Sequence, residues 1–163
     1  MSFRQTAGLP PIMALHRYWM YANRMRNHFE PALTKSPPDT KQTDPGKVVL
    51  AAMSFFATDP GIFMSYWYGS LYVVIEGWRQ LRLTDPKIDP LLLSPNVRFL
   101  KKYRDGVFHF QRNYFDDRFI GFMEKAENSV EWVRTIQSEL GEYFLRRNRS
   151  SSPTSGEAQT PVR

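Results

Sequence analysis

The sequence predicts an all-α domain, an up-and-down bundle of four or five principal helices. Three observations predict it. Apolar residues recur at three- and four-residue steps, most clearly in Val97, Leu100, Tyr103, Val107, Phe110 and Tyr114. Asp59-Pro60, Asp85-Pro86 and Ser94-Pro95 each join a capping residue to a proline suited to a first helical turn. No two alternating segments are joined as a strand pair would be, and no internal repeat is present. The 163 residues suffice for one domain with a real core.

Residues 1–8 read as a flexible N-terminus without an apolar signal segment. A single helical domain is expected over 9–147. Its first helix follows Pro10-Pro11 and runs from about Ile12 to Leu33, with Leu15, Trp19, Met20, Ala22 and Phe29 on its apolar side and Pro31 as a bend or early stop. Residues 34–46 carry three prolines and a glycine and form a loop. Lys47 to Ala57 is apolar and helical. Thr58-Asp59-Pro60 ends it and opens a helix to about Leu83 that is apolar on most sides, as a central helix should be. A membrane span is excluded there, because Asp59-Pro60-Gly61 breaks the apolar stretch before it reaches about 18–20 residues. A short helix follows Asp85-Pro86. A longer one is expected from Asn96 to Asn113, a turn or short helix around Asp116-Asp117, and a last helix from Phe122 to Arg147. Val130, Val133, Ile136, Leu140, Phe144 and Leu145 face inward on that last helix. The Ser/Pro/Arg segment 148–163 reads as a disordered tail.

Composition removes several chemistries. Without cysteine there are no disulfides, Cys-based zinc sites, Fe–S clusters or thiol nucleophiles. Neither phosphate-loop glycine motif is present, nor HExxH, nor GxSxG. His16 and His28 stand twelve residues apart and do not form a metal-binding i,i+4 pair, so no metal and no cofactor is expected. The net charge of +6 is unevenly spread. Residues 98–112 hold Arg98, Lys101, Lys102, Arg104 and Arg112 against Asp105, and the acidic stretch 113–145 follows at once. Such blocks are commonly solvated helix faces, and they also form the electrostatic footprint of a phosphate-binding surface.

His109 lies inside that basic block, with Asp105 four residues before it and Arg112 three after. On a helix, Asp105 would be placed to accept a hydrogen bond from one ring nitrogen and leave the other free. Arg104 is about 140° from His109 around a straight helix, so the two meet only through a distortion near Gly106, a helix start close to Arg104, or a site shared with a second chain. Gly106 is either a small residue for close helix packing or a weak point in the helix. Glu76, a carboxylate in an apolar helix, needs a partner, and Arg79 or Arg104 would serve.

Arg104-Asp105-x3-His109 resembles the R-x4–6-H motif of the HEPN superfamily (higher eukaryotes and prokaryotes nucleotide-binding), in which a polar residue commonly follows the arginine. The resemblance implies an all-α bundle, a homodimer and a metal-independent endoribonuclease, with Arg104 and His109 catalytic. It also implies toxin or defence contexts, with a nucleotidyltransferase or antitoxin partner, and a cytoplasmic protein. In such a reaction the RNA 2′-hydroxyl attacks the adjacent phosphate, His109 transfers protons and Arg104 holds the phosphate. Asp105 and Glu76 would support the pair, and Arg98, Lys101, Lys102 and Arg112 would track the RNA backbone. The alternative is a non-catalytic helical module that binds nucleotide, nucleic acid or a protein.

Overall fold

The computed structural model describes residues 9–37 and 44–151. The expectations for residues 1–8, the middle of the 34–46 loop and the tail from 152 onward lie outside the described residues. Seven helices follow in order: α1 (Pro11–Lys35), α2 (Pro45–Phe56), α3 (Asp59–Gln80), α4 (Ile88–Leu92), α5 (Asn96–Phe108), α6 (Asp117–Lys125) and α7 (Ser129–Ser151). No strand occurs among the described residues.

Side-chain caps mark two of the starts, α2 and α6, and Thr58 and Pro95, which stand at the N-caps of α3 and α5, make none. Asp44 Oδ1 accepts from the Gly46 and Lys47 N–H groups at 2.9 and 3.1 Å and caps α2. Asp85 accepts from the N–H groups of Lys87 and Ile88 at 2.9 and 3.3 Å, in the turn that leads into α4. Asp116 accepts from Arg118 N–H at 3.0 Å and caps α6. Pro31 stays inside α1, which continues one turn beyond it.

Helix α3 is the centre. Half of its 22 residues are buried, among them Trp67, Tyr68, Leu71, Tyr72, Val74, Ile75 and Trp78. Helix α1 packs along it in the opposite direction, with Phe29 on Trp67 and Leu15 on Gly77. Helix α5 also runs antiparallel to α3, since Arg104 lies on Tyr72 and Phe108 on Gly69. Helix α7 closes the bundle: Phe144 packs on His16 and Trp19 of α1, and Gln137 meets Trp67 of α3. The principal helices α1, α3, α5 and α7 therefore alternate in direction, an up-and-down bundle. Burial of Leu71, Val74, Ile75, Ile88, Leu100, Val133, Ile136 and Leu140, each at most 1% exposed, is its main stabilising term.

Several ends shift by two or three residues: α1 and α2 take Thr34, Lys35, Pro45 and Gly46 from the expected 34–46 loop, and α3 stops at Gln80; three boundaries differ by more. Helix α5 ends at Phe108, five residues before Asn113. His109 leaves it in extended conformation, φ −123° and ψ 133°. The Gln111 side-chain amide then donates to the His109 carbonyl at 2.6 Å, a group that a continued helix would have used, and adds a 3.4 Å bond to the Asp105 carbonyl. The stripe loses its core at the same point. Val97, Leu100 and Tyr103 are buried and Val107 is half-buried, but Phe110 is 91% exposed and Tyr114 51%. The chain turns because α6 packs back on α5 at Gly106, where an added Cβ would stand 3.2 Å from Arg118 and Phe119. Gly106 is thus a close-packing residue, between two helices of one chain.

The second difference is that Phe122 belongs to α6. Asn128, with φ 48°, breaks the chain before α7, and asparagine tolerates that left-handed geometry. Val130 and Leu145 consequently face outward, 48% and 50% exposed, while Trp132 and Gln137 join Val133, Ile136, Leu140 and Phe144 inside. Third, α7 continues to Ser151, four residues past Arg147.

Candidate functional site

His109 stands exposed at the C-terminal end of α5, on the wall of an open groove of about 410 Å³. Ile62, Ser65 and Tyr66 of α3 form one side, Phe108 to Gln111 the other, and Phe56, Asn113, Tyr114 and Phe119 complete it. Gly69 lets Phe108, on the groove wall, lie close against α3. An added Cβ there would meet the Phe108 ring at 2.9 Å, so the end of α5 sits tightly on α3 and the Phe108 ring reaches Tyr66, centroids 6.1 Å apart. Tyr114 donates to the Met53 carbonyl at 2.9 Å and ties the loop after α5 to α2. Ser65 gives its hydroxyl proton to the Gly61 carbonyl at 2.8 Å and lies 3.0 Å from the Tyr103 hydroxyl, which donates to it. Burial pushes the Tyr103 hydroxyl well above its ordinary pKa. Both groups are occupied by these structural bonds.

Arg104 faces the other way along α5. Its Nη2 lies 3.2 Å from Glu76 Oε1 and 3.4 Å from Oε2, and its Nη1 lies 3.1 Å from Asp105. The guanidinium carbon sits 5.0 Å from the centre of the Tyr72 ring. The side chain is 19% exposed, and its Nε is buried without a hydrogen-bond partner. Desolvation, and next the negative charge of Glu76, raise the Tyr72 hydroxyl pKa, and Arg104 opposes them. Of the two partners open to Glu76, Arg104 is the one realised; Arg79 instead donates to the Leu92 carbonyl at 3.0 Å. Glu76 itself is 41% exposed, which lowers the cost of its charge.

The supporting residues divide. Glu76 and Asp105 converge on Arg104, but neither carboxylate pairs with His109. Asp105 reaches His109 only through the backbone, by an N–H to carbonyl bond of 3.2 Å. Within one chain no hydrogen bond or ion pair joins Arg104 to His109. Arg98, Lys101 and Lys102 lie on the exposed face of α5, and Arg112 lies in the exposed loop after it. Lys102 pairs with Asp117 at 3.8 Å and Arg98 lies 5.3 Å from the Phe99 ring, whereas Lys101 and Arg112 form no ion pair with a described residue. His16 is half-buried against Phe144 and His28 is exposed beside Phe63. Among the described residues no group of three or more His, Asp or Glu could hold a metal ion, and no helix is long and apolar enough to cross a membrane.

Sequence periodicity missed the groove. It placed Phe110 and Tyr114 in the core and gave Ser65 and Tyr66 no role. The one local signal was the run Phe108-His109-Phe110, three consecutive large side chains that cannot all share one buried face.

The fold and site thus define an all-α bundle with an exposed histidine in an aromatic groove. Comparison of the chain with known protein families, curated proteins and solved structures finds no match.

Proposed function

We propose that this protein is a metal-independent endoribonuclease of HEPN type. The observation that carries the reading is the placement of His109: exposed, at a helix end, on the wall of a groove lined by aromatic rings. An imidazole so placed has solvent on one side for proton exchange and flat apolar surfaces on the other for unstacked bases. In the reaction, the 2′-oxygen bonds to the adjacent phosphorus as His109 takes its proton. The bond from phosphorus to the 5′-oxygen breaks, and that oxygen is protonated. The products are a 2′,3′-cyclic phosphate and a 5′-hydroxyl. Because Arg104 faces away from His109 within one chain, the Arg104 of a second chain, oriented by that chain's Glu76 and Asp105, would stabilise the phosphorane charge through its remaining Nη hydrogens. A homodimer would bring a second His109 for the second proton transfer. A cytoplasmic location, a toxin or defence role and a nucleotidyltransferase or antitoxin partner belong to the same proposal.

The test is cleavage of single-stranded RNA in EDTA by the wild type, His109→Ala and Arg104→Ala. The expected result is cleavage with cyclic phosphate ends by the wild type alone. Cleavage that persists in His109→Ala, or that needs a divalent ion, overturns the proposal.

One observation favours a second reading, a non-catalytic helical module. Arg104 already faces two carboxylates, so the trio carries a net negative charge and repels a phosphate. On that reading Arg104 is structural and the groove only binds. Wild-type protein that binds RNA but leaves it intact under all salt conditions identifies this case.

A further inference from the structure

Five large apolar side chains are exposed around His109: Ile62 at 40%, Tyr66 at 48%, Phe108 at 44%, Phe110 at 91% and Tyr114 at 51%. Scattered singly, exposed apolar residues call for no explanation, but a cluster around one groove marks a binding surface. Four of the five are aromatic. Its volume, about 410 Å³, lies in the range of about 300–1,000 Å³ typical of small-molecule clefts.

The polar groups on the groove wall have orientations fixed by their backbone partners. Gln111 Nε2 is identified as nitrogen because it donates to two carbonyls, so Oε1 is left as an acceptor. Asn113 Oδ1 is identified as oxygen because it accepts the Phe115 N–H at 3.1 Å, so Nδ2 is left with two donor hydrogens. Flat aromatic surfaces beside one free amide acceptor and one free amide donor complement the faces and edges of a nucleobase. A peptide backbone could pair with both amides, but an aliphatic segment would gain no stacking on the four rings and brings no negative charge. The charge has the matching sign. Arg112 lies between the two amides in sequence, and Lys101, which like Arg112 forms no ion pair with a described residue, lies on α5 about two turns before Phe108.

We propose that the groove is a nucleobase-binding subsite, in which an unstacked base of a single strand lies on Phe110 and Tyr66 with its edge toward Gln111 and Asn113. The proposal deepens the ribonuclease reading by naming the part of the substrate that docks beside His109, and it rests on that reading only for the strand being RNA.

The experiment uses full-length protein and a fluorescein-labelled, 2′-O-methylated 12-nucleotide single strand, which lacks the attacking hydroxyl and cannot be cleaved. Binding is read by anisotropy. Phe110→Ala and Tyr66→Ala should each weaken binding about 5- to 150-fold, the loss expected for one stacked base. Phe110→Trp should restore it. Duplex of the same sequence should bind more weakly than the single strand, because its bases are not free to stack. Phe110 is almost wholly exposed, so its truncation leaves the fold intact, which thermal unfolding verifies. No binding at low salt, or binding that Phe110→Ala and Tyr66→Ala leave unchanged, overturns the proposal. So does a wild-type dimer in sedimentation that Phe110→Ala converts to monomer without loss of oligonucleotide binding, since the groove is then a protein interface. Binding with the expected losses, but no cleavage of unmodified RNA, sustains the subsite and removes the ribonuclease reading.

Discussion

A double-mutant cycle on Glu76 and Arg104 tests whether the pair links α3 to α5 and braces the arginine. The contact lies between the usual limits. Arg104 is 19% exposed and Glu76 41%, and both hydrogen bonds come from one Nη atom, at 3.2 and 3.4 Å. Exposed pairs contribute about 0.2–1 kcal/mol, and hydrogen bonds to charged groups about 1.5–3 kcal/mol. A coupling near 1 kcal/mol follows. Arg104→Ala alone should cost more, about 2 kcal/mol, because it also uncovers the Tyr72 ring and leaves Glu76 beside Asp105 without the cation between them. For a domain of this size that corresponds to roughly 4–8 °C in Tm. Glu76→Ala should cost less, since Asp105 still holds the guanidinium. Urea unfolding of the wild type, both single variants and the double variant gives the coupling directly. A coupling below about 0.3 kcal/mol would refute the bridge. A further variant separates an aiming role of Glu76 from a purely structural one. If Glu76 only aims Arg104, Glu76→Gln lowers kcat on RNA and largely keeps KM, whereas a structural role changes stability and leaves kcat alone.

Other consequences follow from packing and burial. Gly61→Ala drives a Cβ into the Phe55 carbonyl, a backbone clash between α2 and α3, and should cost about 1–3 kcal/mol or more by thermal unfolding. Leu100 is fully buried, so Leu100→Ala should cost about 2–5 kcal/mol in urea; a loss under 1 kcal/mol would show that α5 is not part of the core. Burial pushes the Tyr68 hydroxyl up to about 12 and the buried Tyr103 hydroxyl up as well. Both folded-state values lie above the unfolded value near 10, so their contribution is full below about pH 10 and declines as pH rises toward 12. Stability should therefore fall across that window, and Tyr68→Phe should flatten the fall; an unchanged profile would mean that Tyr68 is not buried as described.

Residue order by itself determined the class and most of the framework. The turn signal at Asp85-Pro86, the three- and four-residue apolar steps and the absence of paired strands are local or periodic features, written along one segment at a time. The need of Glu76 for a cation was legible for the same reason, because an ion in an apolar helix is costly whatever the fold. Which cation answered it was not, since Arg79 is near in sequence and Arg104 only in space. Tertiary structure also decided where α5 stops. The apolar stripe from Val97 to Tyr114 keeps helical spacing beyond Phe108, but the close approach of α6 at Gly106 and the Gln111 amide turn the chain out of the helix. That turn moves Phe110 from an expected core position to solvent, puts His109 on a groove wall and separates it from Arg104. The groove draws its walls from α2, α3, α5, α6 and the loop between the last two, and no periodicity within a single segment encodes that meeting.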